Sequence, residues 1–440
     1  MKNLLLLAGY AVWTTAGAQE SPLTIREAVE LAMRHSPVIE SSEAGRDAAR
    51  AKTAEAASGR LPKVNYSESW TRSNNPVFVF SSLLTQRQFT QQNFALDALN
   101  RPDFLNNFQS RITAEQTVFD AGATRRATGV AKRGVAMSDE TIRARRMQVT
   151  ALVAKSYYDS LLAAEQMEVS ASAIRSAEAD LERAMARRDA GFATDADVLS
   201  IRVHLAKARE ENIHRKADRE TANATLNQAI GLPLDTPHTL ASTLTERPVA
   251  AVDSTGERPE LRQAKLAIEI RKLATDSARS AMLPQVAVTG AFESDRQRFY
   301  NRAGQNWLVS ASLRWNLFNG FADRARIQEA EAAQRGANAD AAQAKSQILL
   351  EIHQAAAARN AAIERIATAR AAVEEAKESL RIFQDRYGEG LVTVSDLLRA
   401  ETAMIEARSL HAAALHSERV AAVALAFAYG TLNAGSEVLN

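Results

Sequence analysis

The sequence contains no cysteine among its 440 residues, which excludes disulfides, thiolate metal sites, cysteine nucleophiles and a lipid anchored on cysteine. Only 6% of the residues are aromatic, and 54 lysines and arginines nearly balance 52 aspartates and glutamates. This balance provides no excess of positive charge for nucleic acid as a partner. Beyond the first eighteen residues, no apolar run is long enough for a membrane-spanning helix. The fold must therefore be held together by packing alone.

Motifs that support catalysis or bind cofactors are also missing. The seven histidines form no H-E-x-x-H sequence, and neither G-x-S-x-G nor a phosphate-binding glycine loop occurs. Adjacent charges such as Arg187 and Arg188 are interpreted as solvated helix faces. We therefore expect no enzyme activity, no metal site and no cofactor.

The N-terminus is typical of a secretory signal peptide. Lys2 precedes the apolar run Leu4 to Val12, and Ala16-Gly17-Ala18 is a small-residue cleavage site. We expect residues 1–18 to be removed on export, so that the mature chain begins at Gln19.

The rest of the sequence contains an internal duplication. Leu61-Pro62-Lys63-Val64 recurs as Leu283-Pro284-Gln285-Val286, at an offset of 222 positions. Gly191-x-x-Thr194-x-x-Asp197 recurs as Gly390-x-x-Thr393-x-x-Asp396, at an offset of 199 positions. The smaller second offset indicates an insertion in the first copy, which we place in a loop at residues 74–102. The resemblance described below implies that this loop is extracellular. We therefore expect a first repeat at 19–230, an equatorial linker at 231–258, a second repeat at 259–430 and a C-terminal tail at 431–440.

Each repeat is predicted to contain one antiparallel pair of strands. Apolar and polar side chains alternate with a period of two from Trp307 to Leu317, as they do from Val286 to Phe292. The expected strands are about 63–73, 108–119, 285–295 and 306–318. Trp307 and Trp315 lie at the two ends of one apolar face, and with Trp70 they are predicted to form an aromatic belt at the membrane interfaces.

Very long helices are predicted between the strands. No proline occurs from residue 103 to 232 or after residue 284, so nothing interrupts a helix there. From Ile366 to Tyr387, apolar residues recur every three or four positions, which favours side-by-side helix packing.

Four strands are too few for one chain to close a membrane barrel, because open edges in lipid leave backbone groups unpaired. Two copies would supply eight strands around a filled interior, whereas three would supply twelve and leave a lumen. The predicted fold is therefore mainly α with a small β part, built from a duplicated hairpin-plus-long-helix repeat. As a trimer it forms a 12-stranded transmembrane β-barrel that is continued by a long periplasmic α-helical barrel.

The paired Leu-Pro strand starts, the turns at Phe119-Asp120 and Phe318-Asn319, and the paired G-x-x-T-x-x-D strings together resemble the TolC family of outer-membrane efflux proteins. The resemblance covers nearly all of the mature chain. It implies a passive homotrimeric channel-tunnel of the cell outer membrane, with a long periplasmic portion, that exports small molecules or proteins. It also implies three kinds of partner: outer-membrane lipid, a periplasmic adaptor (membrane fusion) protein, and an inner-membrane pump of the RND, ABC or MFS type.

Two helix-turn-helix tips are predicted at 188–197 and 387–396. In both, a threonine followed three residues later by an aspartate predicts a capping box. The aspartate of the second tip, Asp396, could also form an anionic ring in a trimer, contributing to cation selectivity and gating.

The family resemblance implies further roles at these tips. Tyr387 is expected to bond Asp197 and hold the periplasmic entrance shut. Val392 stands where the family has a gate arginine, and Arg399 stands where it has a second ring aspartate, so Arg399 could instead pair with a neighbouring carboxylate. The residues expected at the adaptor docking surface are Gly191, Phe192, Thr194, Val198, Leu199, Gly390, Leu391, Thr393 and Leu397.

A second interpretation, from another class of protein, stays open at this point. A secreted or periplasmic coiled-coil scaffold without a pore would have the same long helices, with the strands forming a soluble head. A requirement for detergent separates the two interpretations.

Overall fold

The structure is a computed structural model that describes residues 22–248, 250–300 and 303–439. The predicted signal peptide, residues 1–18, lies outside these described residues. Within them the chain forms nine α-helices and four strands. In chain order they are α1 (Ile25–His35), α2 (Pro37–Ala57), β1 (Lys63–Ser73), α3 (Pro76–Thr85), α4 (Leu96–Asn100), β2 (Leu105–Phe119), α5 (Ala123–Asp189), α6 (Asp195–Ile230), α7 (Pro259–Ser280), β3 (Gln285–Arg296), β4 (Gly304–Arg314), α8 (Ala322–Gly388) and α9 (Val394–Tyr429).

The chain divides into two compact units. Of the described residues, the first unit contains those within 22–39, 144–258 and 348–439, and the second contains those within 40–143 and 259–347. Each unit draws on both halves of the sequence, as the internal duplication requires.

The second unit contains the antiparallel sheet, with the strand order β1-β2-β3-β4. The strands begin and end close to the expected positions, except that β4 ends at Arg314 rather than near residue 318. Arg314 pairs with Gln285, the first residue of β3, so no partner strand extends beyond it. The period-two alternation of side chains continues past Arg314, but the hydrogen-bonded ladder does not.

The two faces of the sheet differ in chemistry. One face is largely apolar, and its side chains Tyr66, Ile112, Phe292 and Trp307 lie on directly paired positions of the four described strands. All four are exposed in a single chain. The other face is mostly polar and carries Arg111 paired across from Glu293, with their side chains 3.1 Å apart.

The first unit has its own core, built from α1, α5, α6, α9 and the C-terminal segment. Val29, Val153 and Leu226 are buried within it. Tyr157 donates a hydrogen bond from its hydroxyl to the carbonyl of Leu23 (2.9 Å). Leu439 is buried in the same core, so the tail packs with the body of this unit.

The duplication is visible in the helices. Helices α5 and α8 have 67 residues each, and α6 and α9 have 36 each. Both shorter helices end at a glycine in the left-handed conformation, Gly231 with φ of +86° and Gly430 with φ of +78°. A residue with a Cβ would be strained at either position, which accounts for glycine at both.

Among the described residues, no helix combines the length and the apolar character that a bilayer crossing requires.

Candidate functional site

Two turns, which join α5 to α6 and α8 to α9, form the predicted tips. The backbone N–H of Phe192 donates to the carbonyl of Arg187 (2.8 Å), and that of Leu391 donates to the carbonyl of Arg386 (2.9 Å). Between these bonded residues, Gly191 and its counterpart Gly390 adopt positive φ angles of +80° and +78°. The two turns are therefore built alike.

A capping box begins the helix after each turn, as predicted. In the second tip, the Thr393 hydroxyl donates to Asp396 Oδ2 (2.6 Å), and the Asp396 N–H donates to Thr393 Oγ1 (3.3 Å). Thr194 and Asp197 repeat the arrangement in the first tip, with a hydroxyl-to-carboxylate distance of 2.9 Å. The side-chain and backbone hydrogen bonds from Thr393 lower the pKa of Asp396.

Arg399 lies beside the candidate ring carboxylate. Its guanidinium is 3.9 Å from Asp396 Oδ1, one helical turn away, and its side chain is 82% exposed. In the family this position is expected to hold a second ring aspartate. Here it holds Arg399, whose guanidinium pairs with Asp396, as the sequence suggested.

Tyr387 is buried beneath the turns, with 8% of its surface exposed. It packs in a cluster, here called the tip cluster, that comprises Ala184, Val198, Ile201, Tyr387, Val394 and Leu397. Burial raises the pKa of Tyr387; the nearby Arg187 opposes this shift, and Asp197 adds to it. Val392 packs against the same cluster, so an apolar contact stands where the family has an arginine.

The hydrogen bond expected between Tyr387 and Asp197 is not formed. Within the described part of the chain, the Tyr387 hydroxyl has no hydrogen-bond partner. The Asp197 carboxylate instead accepts from the backbone N–H and the hydroxyl of Thr194 (both 2.9 Å). Both of these bonds end on Asp197 Oδ2, and neither comes from the tyrosine.

Arg187 joins the two hairpins. Its guanidinium lies over the Tyr387 ring, 5.2 Å from the centroid, and donates a hydrogen bond to the carbonyl of Gly388. Its interpretation as a solvated helix face is therefore wrong, because an aromatic ring of the other repeat covers it. In the sequence, the only sign of this contact was Val392, which stands where the family has an arginine. Its presence indicated that a different residue supplies the positive charge at the tips.

A buried acidic pair lies farther along the same helices. Asp180 of α5 is 1% exposed and Glu401 of α9 is 3% exposed. Ser176 donates its hydroxyl hydrogen to Glu401 (2.8 Å), and His204 Nε2 of α6 is 3.2 Å from Glu401 Oε2. Arg183 donates to the carboxylate of Asp180. The group links helices from both repeats.

The two carboxyl groups differ in their affinity for a proton. Burial and the neighbouring Glu401 raise the pKa of Asp180 to about 8. Burial also disfavours ionisation of Glu401, but hydrogen bonds from His204, Asp180 and Ser176 outweigh it and lower the pKa of Glu401. The pair thus shares one negative charge at neutral pH. Sequence analysis missed it, although Asp180 is spaced three and four residues from the buried Ala177 and Ala184.

The predicted docking residues fall into two sets. Phe192 and Leu391, at the outermost positions of the two turns, are 76% and 69% exposed. Leu199 is also exposed, as are both glycines and both threonines. Val198 and Leu397 are instead buried in the tip cluster, because the first turn of each helix directs them inward. These two support the tips from beneath and offer a partner no surface.

No group of three or more histidine, aspartate or glutamate side chains among the described residues could hold a metal ion.

Comparison with known proteins identifies the family. The model for outer membrane efflux proteins matches residues 28–232 and 252–431, which is most of the chain and both copies of the repeat. The chain belongs to the outer membrane efflux protein family. The chain is 28% identical to protein CyaE of Bordetella pertussis over 432 residues, covering 93% of this chain and 84% of CyaE. It is 22% identical to the alkaline protease secretion protein AprF of Pseudomonas aeruginosa over 424 residues, covering 93% of this chain and 85% of AprF.

Solved structures agree on the fold. This efflux-family chain superimposes on CusC, whose structures concern folding and transmembrane channel formation, with a TM-score of 0.79 and 16% identity. The match covers 92% of each chain. The predicted fold class is confirmed: the chain has the channel-tunnel fold, mainly helical with a small sheet.

Family membership decides between the two interpretations from the sequence. The protein is a passive channel-tunnel of the outer membrane with a long periplasmic portion, and it is neither an enzyme nor a pore-free scaffold. Its homologues are outer membrane factors that form trimers and work with adaptor proteins and inner-membrane pumps.

Proposed function

We propose that three copies of this chain close into one export duct, with the sheet in the outer membrane and the tips at its periplasmic entrance. Support comes from the sheet, in which β1 and β4 each have one unpaired edge within the described residues. An open edge in lipid leaves N–H and C=O groups without partners, and neighbouring copies would supply them. The exposed Trp70, Trp307 and Trp315 are then the aromatic contacts with lipid.

The entrance is held closed by contact between the two hairpins of each copy. One observation carries this proposal: Arg187 of the first repeat covers Tyr387 of the second and bonds the carbonyl of Gly388. A cation over an aromatic ring contributes about 0.5–2 kcal/mol, depending on how fully water is excluded. Asp396 and Arg399 then line the entrance as a ring of paired charges.

An adaptor protein docks on the exposed turns. Phe192 and Leu391 are large apolar side chains presented to solvent by turns that the capping boxes hold rigid. Exposed aromatic and aliphatic side chains on a rigid element are typical anchors of protein interfaces. The adaptor would deliver cargo from a pump of the RND, ABC or MFS class. Protein export is among the proposed uses, since a relative, AprF, is an alkaline protease secretion protein.

Single-channel conductance in planar bilayers tests the entrance. Arg187→Ala removes the cation and the bond to Gly388, so we expect a conductance several times that of the wild type. Tyr387→Ala should act likewise, whereas Tyr387→Phe should leave the conductance unchanged because the hydroxyl has no partner among the described residues.

Arg188→Ala is the matched control for Arg187→Ala. Arg188 forms ion pairs with Asp189 (2.7 Å) and Asp195 (3.8 Å), which both belong to the first hairpin. Among the described residues, it has no ion-pair partner in the second hairpin. Equal conductance in Arg187→Ala, Arg188→Ala and the wild type would show that the contact between the hairpins does not close the entrance.

A further inference from the structure

The insertion between β1 and β2 is the one large departure from the duplication, and it folds back onto the sheet. Gln86, which follows α3, donates from Nε2 to the carbonyl of Asn106 and to Asn107 Oδ1, both at 2.9 Å. Arg87 donates to the carbonyl of Gln305 (2.8 Å). The end of α3 is thus bonded to both β2 and β4.

The insertion contacts the polar face at one end of the sheet, where β2 and β4 begin. Asn107 donates to Asp295 Oδ1 (2.8 Å), and Asp295 is fully buried. Asn306 donates to the carbonyl of Thr85 (3.3 Å). These sheet residues lie on the face opposite to Trp307, because Asn306 is its immediate neighbour in the strand. In a duct whose apolar face meets lipid, the polar face lines the lumen, so the insertion enters the lumen.

Gly304 makes the close approach possible. A Cβ built on Gly304 would lie 1.9 Å from the carbonyl oxygen of Thr85, far inside van der Waals contact. Gly290 on β3 has nothing within 4 Å of the equivalent atom. The insertion is therefore seated against a backbone position that only glycine can occupy.

The exposed surface of the insertion includes large apolar side chains among polar ones such as Gln92 and Asp97. Phe80, Phe89 and Phe94 form a chain of edge-to-face contacts with centroid distances of 5.0 and 5.1 Å. Phe94 and Leu96 remain largely exposed, the latter at 76%. An apolar surface in a water-filled lumen is unfavourable unless another apolar surface covers it.

We infer that this insertion is an outer plug, and that the surface around Phe94 and Leu96 packs against the same surface of the neighbouring copies. The occupant is a second copy because each copy around a closed ring sends one insertion into the same lumen. A helix with its side chains is about 10–12 Å across, so three insertions obstruct much of a twelve-stranded barrel. The inference rests on the proposed trimer and adds a second barrier to the one at the tips.

Cross-linking tests the contact between copies without reference to the tips. The chain has no cysteine, so Leu96→Cys provides a single reactive group per copy. Treatment of the membrane-inserted protein with a short bis-maleimide should give covalent dimers. Val309→Cys, on the opposite face of the sheet, is the control and should stay monomeric. Trimers that form normally yet give no Leu96→Cys dimers would overturn the inference.

Conductance tests the obstruction. In an Arg187→Ala background, Gly304→Ala should displace the insertion and raise the conductance by about twofold or more, whereas Gly290→Ala should not. Gln86→Ala, which removes two bonds to β2 without adding an atom, is the second variant in case Gly304→Ala fails to assemble. Equal conductance for Gln86→Ala and Gly290→Ala would contradict the plug. If Arg187→Ala itself does not open the entrance, the entrance proposal fails while the cross-linking result still decides the plug.

Discussion

Asp180 and Glu401 place two carboxyl groups side by side in the interior, where burial and the neighbouring Glu401 raise the pKa of Asp180 and Arg183 opposes the shift. Burial penalises every charge, and two neighbouring carboxylates would also repel each other. His204 and Ser176 favour the charge on Glu401, which leaves the proton on Asp180. The packing of α5 against α9 near the entrance therefore depends on a bound proton.

The pH dependence of the entrance should follow from Asp180. Its pKa in the folded chain is about 8, above the ordinary value of 3.8, so the folded state holds a proton that the unfolded chain releases. The stabilisation is complete below the ordinary value and is lost as the pH rises through about 8. We expect wild-type conductance to rise over that window.

Asp180→Asn keeps a side chain that can form hydrogen bonds but removes the group that titrates. The conductance of this variant should therefore not change over the same pH window. Glu178→Gln, which alters an exposed acid on the same helix, is the control and should behave as the wild type does. The same pH dependence in Asp180→Asn and the wild type would assign the titration to another group.

At the scale of secondary structure, the alternation in β4 decides which side chains meet lipid. Val309 lies on the apolar face and pairs with Gly290, whereas Ser310 lies on the polar face and pairs with Thr289. A lysine on the lipid face of a transmembrane strand costs about 2–4 kcal/mol near the midplane, whereas one on the lumen face is tolerated.

Val309→Lys should therefore reduce the amount of heat-modifiable trimer in outer-membrane fractions, while Ser310→Lys should leave it near the wild-type amount. Semi-native gel electrophoresis of the two fractions measures this. Equal loss in both variants would mean that the two faces do not differ in environment.

Much of this architecture could be predicted because it depends on local patterns. The alternation around Trp307 specifies a strand, the absence of proline permits α5 and α8, and the two T-x-x-D strings specify capping boxes. The length of β4 could not be predicted from its local pattern, because β4 ends opposite the residue at which its partner β3 begins.

The contacts at the entrance were harder to predict for a different reason. Arg187 and Tyr387 are distant in the sequence, and only the packing of one repeat against the other brings them together. The expected bond from Tyr387 to Asp197 was wrong: the carboxylate accepts from Thr194 at the start of its own helix, and the tyrosine hydroxyl has no partner among the described residues. The helices and strands could therefore be predicted from the sequence, whereas the side-chain contacts between them became visible only in the structure.

At the scale of the whole assembly, the trimer that we propose repeats each charge at the entrance three times. Asp396 stays ionised in mildly acidic solution because its capping bonds and Arg399 lower its pKa. In the ring that we propose, three arginines beside three aspartates give a net charge close to zero, so we expect selectivity to depend on the balance between them.

Arg399→Ala should shift the reversal potential under a salt gradient toward stronger cation selectivity, because three carboxylates lose their cations. Asp396→Asn, which can still accept the capping bond, should shift it in the opposite direction, and Arg399→Lys should leave it unchanged. No shift in either of the first two variants would place the selective constriction elsewhere.

The pairing of β2 with β3 has a consequence for how the chain folds. Ile112 pairs with Phe292, so the centre of the sheet joins residues separated by α5, α6 and α7. Contacts of such large sequence separation form slowly. During export, the first repeat crosses into the periplasm with the edge of β2 unpaired until β3 arrives, and an exposed edge invites aggregation. We therefore expect the chain to be most prone to aggregation in the interval between delivery of its two halves.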